Sequence, residues 1–217
     1  MTVSTLIALK KISDSKPLVL SVLLGAEFGV AAIAYYALMT AYSLLLKEVM
    51  ILDALAISGG FVLRAAAGAL VIHVSISPWL LLCTTLLALF LALAKRRGEL
   101  IILEDGASDC RAILRDYTPE MLDQMIGVTA SACLMAYSLY TFAPFSQTAE
   151  RHPLMMATIP FVIFGLFRYL YLIHSKRVTD SPETALLSDK QLLGSVILWA
   201  GAVAAILLGF PSTPAAP

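Results

Sequence analysis

Hydrophobic residues along this chain are gathered into six long blocks, separated by shorter stretches that hold most of the charged residues. A helix needs roughly 20 apolar residues to cross a hydrocarbon core about 30 Å thick, and the blocks approach that length. Because the blocks are continuous rather than alternating, they predict membrane-spanning helices and not the strands of a barrel. The blocks cover residues 17–40, 49–72, 78–94, 121–142, 154–173 and 191–210.

Three connections contain the same local signal, a Ser or Thr directly followed by Pro. The hydroxyl suits the capping position of a helix, and Pro suits the first helical position. Ser188 and Gln191 further predict a capping box at the start of the sixth block. The three predicted helix starts are Ser77-Pro78, Thr118-Pro119 and Ser181-Pro182.

Composition supports a membrane protein, since 59% of the 217 residues are hydrophobic and only 14% are charged. A soluble domain carries about 25% charged residues. The net charge is zero and no basic surface interleaved with aromatic residues occurs, which argues against nucleic-acid binding. We therefore expect an all-α polytopic membrane bundle with six transmembrane helices. It comprises residues 17–210, between a leader over 1–16 and a disordered tail over 211–217.

Most of the basic residues follow the first, third and fifth blocks, so they lie on one side of the membrane. The positive-inside rule assigns that side to the cytoplasm. Both chain ends then lie outside, which is unusual without a signal sequence, and we expect a front part of the protein to be missing. The basic residues of this side are Lys47, Lys95, Arg96, Arg97, Arg111, Arg115, Lys176, Arg177 and Lys190.

A charged stripe is predicted in the second block. Asp53 and Arg64 are eleven residues apart, close to three helical turns, so they share one face with Gly60 and Gly68. The two glycines are expected to leave space beside the Arg64 side chain. A deep Arg indicates either a function or a structural ion pair, here with Glu27 or Asp53.

Charged residues at the cytoplasmic ends of the blocks are candidates for binding a phosphorylated substrate. The third block is expected to end at KRRGEL, which supplies the cluster Lys95–Glu99. Lys47 with Asp53, and the pair Arg111 and Arg115, lie on the same predicted side. Lys and Arg neutralise phosphate oxygens, and a carboxylate can hold Mg²⁺ against them. Ordinary positive-inside charges remain the alternative interpretation for all of these cations.

Other chemistry is weakly indicated. Arg168, within FRYLYLIH, is a second deep Arg that either has a function or extends its head group to the interface. Cys83, Cys110 and Cys133 lack metal-ligand spacing. No GxGxxG, P-loop, nucleophile-elbow or paired-His motif occurs in the sequence.

The stretch YSLLLKEVMILDALAISGGFVLRAAAGA resembles the decaprenyl-phosphate phosphoribosyltransferases, a branch of the UbiA-type prenyltransferase superfamily. The likeness covers roughly residues 30–205, and its specificity lies in the order of several pieces. After the stretch above, the similar segments in chain order are KRRGELIILE, RAILRDYTPEMLDQM, SLYTF, TIPFVIFGLFRYLYLIHSK and ALLSDKQLLGSVILW.

The resemblance implies the C-terminal two-thirds of a UbiA-type fold in the bacterial cytoplasmic membrane, with a cytoplasmic active face. It implies Mg²⁺-dependent transfer of a 5-phosphoribosyl group from phosphoribosyl pyrophosphate to polyprenyl (decaprenyl) phosphate, for arabinose donors of the cell envelope. YSLLLK looks like a pyrophosphate-contacting loop, and KRRGEL stands at the second acidic motif. With the candidates above, the expected substrate-binding residues are Tyr42, Lys47, Arg64, Lys95, Arg96, Arg111 and Arg115, and the expected metal ligands are Asp53 and Glu99.

One departure from the family is large. The family begins with about three further helices and an Asp-rich NDxxDxxxD motif followed by His-Pro-x-Lys, and this sequence contains neither motif. We therefore expect these residues alone not to catalyse the transfer. Two alternatives stay open: a non-catalytic membrane protein that binds polyprenyl lipid or a partner, and a small transporter. No repeat relates residues 17–94 to 121–210, which disfavours the transporter. The catalytic residue and a homo-oligomeric state are also open.

Overall fold

The computed structural model describes residues 26–72, 77–104, 117–142, 150–151, 153–175, 182–209 and 213–214. These residues are helical apart from short connections and one antiparallel pairing of two-residue strands, β1 (Glu150–Arg151) and β2 (Thr213–Pro214). The all-α polytopic class predicted from the blocks is confirmed. The leader over 1–16 lies outside the described residues, and of the tail over 211–217 only the paired β2 is described.

The helices follow the hydrophobic blocks closely. The short 3₁₀ helix Leu46–Glu48 precedes the second block, and the 3₁₀ helix Pro153–Thr158 forms the beginning of the fifth. In chain order the α-helices of the described residues are α1 (Ala26–Leu44), α2 (Leu52–Val71), α3 (Pro78–Glu104), α4 (Pro119–Phe142), α5 (Ile159–Ser175), α6 (Pro182–Ser188) and α7 (Lys190–Gly209).

Five helical segments of the described chain are long and apolar enough to cross a membrane. The expected count of six is not confirmed, because α1 is not among them. Its described part is diluted by Glu27 and by the tyrosines at positions 35, 36 and 42. The five segments are Leu52–Val71, Pro78–Ile101, Pro119–Phe142, Leu154–His174 and Lys190–Gly209.

The helices divide into two compact units, Met1–Ile76 and Ser77–Pro217. In the first unit, α1 packs against α2. A Cβ atom added at Gly60 would lie 2.8 Å from Met39 Cε and 3.6 Å from Tyr35 Cε2, so side chains of α1 fill this position. The expectation that Gly60 leaves open space is therefore wrong, because small residues in membrane helices let neighbouring helices approach.

Two of the three predicted helix starts show the expected capping bond. Ser77 Oγ accepts the backbone N–H of Trp79 at 3.2 Å. Thr118 Oγ1 accepts the backbone N–H of Met121 at 3.2 Å. The third helix begins at Pro182, as predicted. The Ser/Thr-Pro signal therefore located the beginnings of α3, α4 and α6.

The predicted capping box of α7 is wrong. Asp189, and not Ser188, caps this helix, since its Oδ1 accepts the backbone N–H groups of Gln191 at 3.1 Å and Leu192 at 2.8 Å. An ionised carboxylate at a helix N-terminus also interacts favourably with the helix dipole. The cap therefore lies one residue later than the sequence suggested.

The third block does not end at KRRGEL, because α3 continues through this segment to Glu104. Lys, Arg and Glu are good helix formers, so leaving the apolar region does not end the helix. An ion pair between Arg96 and Glu99, three residues apart, supports the extension. The candidate site residues of this segment consequently stand on a regular helix.

In the second unit a directed chain of hydrogen bonds ties α7 and α4 to the 3₁₀ helix Pro153–Thr158. The indole Nε1 of Trp199 donates to Tyr137 Oη at 2.8 Å. Tyr137 Oη and Thr158 Oγ1 lie 2.6 Å apart, and Thr158 Oγ1 donates to Met155 O at 2.6 Å. Because Thr158 uses its proton on Met155, the Tyr137 hydroxyl is the donor to Thr158. Tyr137 and Thr158 are buried.

We predict that Thr158→Val lowers the thermal stability of the protein in detergent. The change removes the acceptor of the buried Tyr137 hydroxyl at nearly constant volume, which costs roughly 1–2 kcal/mol. Thr129→Val is the matched control, since among the described residues the buried Thr129 hydroxyl bonds to Met125 O, within its own helix. Equal melting temperatures for the two variants would contradict the role of the Thr158 bond.

Candidate functional site

The connection between α1 and α2 contains a strained turn. Ile51 has φ 69° and ψ −42°, and the backbone N–H of Leu52 bonds to Met50 O at 2.8 Å. This i to i+2 bond at positive φ defines a γ-turn, a rare conformation that is unfavourable for a β-branched residue. The turn separates the 3₁₀ helix that carries Lys47 from the first turn of α2, which carries Asp53.

The predicted site residues near this turn differ in accessibility. Asp53 is fully buried, with 0% of its surface exposed. Tyr42 and Lys47 are partly exposed. Among the described residues no carboxylate forms an ion pair with Lys47, so its ammonium group is available to an anionic ligand. Asp53 is enclosed in the protein and presents no surface to one.

Arg64 lies on α2 with its side chain exposed. Its Nη2 donates to Tyr35 Oη, and its guanidinium carbon lies 4.9 Å from the Tyr35 ring centre and 5.5 Å from that of Phe61. No carboxylate of the described chain pairs with Arg64, so the expected ion pair with Glu27 or Asp53 is not formed there. The sequence contains no signal for Tyr35, because its proximity to Arg64 depends on how α1 meets α2.

The KRRGEL segment places its residues on different sides of α3. Arg96 is buried, with 1% of its surface exposed, and its Nη1 donates to Glu99 Oε2. Glu99 retains 26% of its side-chain surface. Lys95 is exposed, and no described carboxylate pairs with it. Lys95 is therefore the accessible cation of this segment.

A charged cluster that the sequence analysis did not identify joins three helices. Arg97 Nε donates to Asp123 Oδ1, and its Nη2 lies 3.3 Å from Asp123 Oδ2. Arg97 Nη1 also donates to Ile173 O at 3.2 Å. His174 Nε2 lies 3.2 Å from Asp123 Oδ1. The cluster links the charged end of α3 to the first turns of α4 and the last turn of α5. Arg97 therefore joins helices in the protein, besides adding to the positive charge of its predicted side.

The deep Arg168 is also paired. Its Nε and Nη2 donate to the two carboxylate oxygens of Asp189, at 3.1 Å and 2.7 Å. The guanidinium carbon lies 5.1 Å from the ring centre of Tyr171. Because Asp189 also caps α7, this bidentate pair fixes the start of α7 against α5. The contacts give Arg168 a structural ion pair within the protein, which neither of the two interpretations from the sequence included.

The two units limit how much of the predicted site is brought together. Within the first unit, Lys47, Asp53 and Arg64 occupy one connection and the helix that follows it. Lys95, Arg96 and Glu99 belong to the second unit, and the convergence of the two groups stays a prediction. Arg111 and Arg115 lie outside the described residues. In the described part of the chain, no group of three or more His, Cys, Asp or Glu residues is placed to hold a metal ion.

Sequence comparison identifies relatives with one shared name. A protein of Mycolicibacterium smegmatis named decaprenyl-phosphate phosphoribosyltransferase is 30% identical over 199 residues, which covers 88% of this chain and 61% of the relative. Proteins of the same name from Corynebacterium glutamicum and Mycobacterium tuberculosis are 30% and 26% identical, over 76% and 84% of this chain. The chain is a homologue of these transferases. No family model matches it.

The homology confirms the resemblance noted in the sequence, and it extends over only part of each relative. The chain spans 61%, 49% and 59% of the lengths of these three relatives. Their name identifies a transferase that acts on a polyprenyl phosphate lipid, and the apolar helices identify a multi-pass membrane protein. What the whole relatives do is therefore a starting point for a proposal about this chain.

We predict that Arg97 and Asp123 are energetically coupled. In a double-mutant cycle of Arg97→Gln and Asp123→Asn, the coupling in unfolding free energy should be about 1–2 kcal/mol, because either single change leaves a partly enclosed charge without its partner. Glu120→Gln combined with Arg97→Gln is the control cycle, since Glu120 lies exposed at the start of the same helix. Additive effects in the Arg97–Asp123 cycle would show that the two residues are not energetically coupled.

Proposed function

We propose that this chain carries the donor- and lipid-binding part of a membrane transferase. The reaction moves a 5-phosphoribosyl group from phosphoribosyl pyrophosphate to a polyprenyl phosphate such as decaprenyl phosphate. The observation that supports this most is the homology to proteins named for that activity, together with the membrane helices that such a lipid substrate requires. The product would serve the synthesis of arabinose donors for the cell envelope.

The proposed reaction exchanges one bond at the anomeric carbon of the ribose. The bond from this carbon to the diphosphate oxygen breaks, and a bond to a phosphate oxygen of the lipid forms. The electron pair of the broken bond leaves with the diphosphate, so negative charge develops there. Preorganised cations stabilise such charge most effectively. Lys47 and Lys95 suit this task, because each is accessible and lacks a carboxylate partner among the described residues.

Two other residues predicted to bind the substrate, Tyr42 and Arg96, suit this task less directly than the two lysines. Tyr42, partly exposed near the end of α1, can donate a hydrogen bond to a diphosphate oxygen. Arg96 is held by Glu99 inside the protein, so binding a ligand would require it to leave that carboxylate. The role of Arg96 in the proposed site is therefore to fix Glu99 and the adjoining turn of α3 beside Lys95.

Mg²⁺ belongs to the proposal as the companion of the donor diphosphate. It commonly binds through one or two carboxylates together with substrate phosphates. Glu99 fits this better than Asp53, since part of its side chain is exposed while Asp53 is fully buried. When bound, the ion would neutralise diphosphate oxygens. Glu99 would hold the ion, and Lys95, four residues earlier on α3, would bind the same diphosphate.

We place the protein in the bacterial cytoplasmic membrane, with Lys47 and Lys95 on the cytoplasmic side. The charge distribution supports this orientation, and a water-soluble phosphorylated donor would reach the site from the cytoplasm.

We predict that Lys47→Ala weakens binding of labelled phosphoribosyl pyrophosphate to the purified chain at least tenfold, because it removes an accessible cation from the proposed donor site. Lys190→Ala is the control, an exposed lysine at the start of α7 outside the proposed site. The same preparation, supplied with polyprenyl phosphate and Mg²⁺, reports transfer. Undetectable donor binding by the unmodified chain would refute the proposed function. Robust transfer would support the function and overturn the expectation that these residues alone are inactive.

We predict that single cysteines at Ser108 and Thr179 are protected from a membrane-impermeant thiol reagent in intact cells. Both loops carry the basic residues that the positive-inside rule assigns to the cytoplasm. The background should have Cys83, Cys110 and Cys133 replaced by Ser. Labelling in permeabilised cells provides the positive control, and equal labelling in intact cells would reverse the orientation.

A further inference from the structure

Arg64 lies deep within a helix that is long enough to cross a membrane. It is twelve residues beyond Leu52, the first residue of α2, which corresponds to about 18 Å along the helix axis. The hydrocarbon core is about 30 Å thick, so this charge belongs to the apolar region. A cationic side chain at such a depth costs at least roughly 2.5–3.5 kcal/mol unless an anion or water compensates it.

The contacts of Arg64 orient its guanidinium group without neutralising it. Nη2 donates to Tyr35 Oη, and the aromatic rings of Tyr35 and Phe61 lie against the cation. Arg96, Arg97 and Arg168 each bind a carboxylate, whereas Arg64 binds none in the described part of the chain. Most of the five N–H donors of its guanidinium thus remain for a ligand.

The surroundings of Arg64 favour a ligand with an apolar portion. Phe61, one turn earlier on α2, is exposed beside the guanidinium. One turn later, a Cβ atom at Gly68 would have no atom of the described residues within 4 Å, so these residues leave space beside Gly68. A free anion would lose its hydration at this depth and would gain no apolar contacts to offset that cost. A phosphate attached to a hydrocarbon chain instead gains apolar contacts for its chain.

We propose that Arg64 and Tyr35 form the binding site for the phosphate of a phosphomonoester lipid, a phosphate carried by a long apolar chain. Arg64 would bind the phosphate oxygens with its free N–H groups, and the Tyr35 hydroxyl would donate to a third oxygen while its own oxygen accepts from Arg64. The inference rests on the proposed function, in which it assigns the lipid acceptor to α1 and α2 and adds Tyr35 as a binding residue.

The test measures binding of radiolabelled farnesyl phosphate to the purified full chain in detergent. Arg64→Gln should weaken binding at least tenfold, and Arg64→Lys should lose less because the charge remains. Tyr35→Phe should weaken binding about threefold while keeping the ring against the guanidinium. Lys190→Gln is the control for loss of one exposed positive charge. Melting temperatures verify that each variant is folded, and Tyr35→Phe tests the site if Arg64→Gln does not fold.

Competition separates the lipid from other sources of phosphate. Farnesyl phosphate should displace the label, while farnesol and inorganic phosphate should not at the same concentration. If inorganic phosphate competes equally, the lipid assignment is wrong. If folded Arg64→Gln binds as well as the unmodified chain, the site is wrong. Donor binding that depends on Lys47, with farnesyl phosphate binding indifferent to Arg64, would overturn this inference alone. If the unmodified chain binds neither the donor nor farnesyl phosphate, the proposed function is wrong.

Discussion

A charge carried into a membrane must be compensated, and this constraint organises the described helices. The hydrophobic effect offers little force between helices that are surrounded by lipid, so close packing and polar contacts provide the association. In the second unit the polar contacts are specific. Arg97 with Asp123 joins α3 to α4, and Arg168 with Asp189 joins α5 to the start of α7. Removing one partner of either pair would leave its charge uncompensated, which costs more than the pair itself contributes.

Between the described residues of the first unit no ion pair occurs, and the unit shows close helix packing and backbone strain instead. Small residues let α1 and α2 come close, and Met39 and Tyr35 occupy the position beside Gly60. The chain enters α2 through the γ-turn at Ile51, a conformation that costs of order 1–3 kcal/mol for a residue of this type. Strain of this size persists only where surrounding contacts impose it. It lies between Lys47 and the buried Asp53, so the turn fixes their relative positions.

The fold could be predicted from the sequence wherever local signals determine it. Continuous apolar blocks predicted the helices. A Ser or Thr followed by Pro correctly indicated that helices begin at Pro78 and Pro119. The predicted end of α3 was wrong. The charged residues of KRRGEL indicated the end of the apolar block, but they are also good helix formers, so the helix continues to Glu104. The Arg97–Asp123 and Arg168–Asp189 pairs span 26 and 21 residues. Sequence spacing along one helix cannot predict them, since they depend on which helix faces meet.

The candidate site residues divide into cations that are paired with a carboxylate and cations that have no such partner among the described residues. Lys47, Arg64, Lys95 and Arg96 are all among the substrate-binding residues expected from the sequence, Arg64 as a deep Arg and the others as cations near the expected cytoplasmic end. The structure divides them, since Arg96 is enclosed with Glu99 while the other three have no carboxylate partner among the described residues. A paired cation has little charge left for a ligand. Lys47 and Arg64 in the first unit, and Lys95 in the second, retain a positive charge that no described carboxylate neutralises.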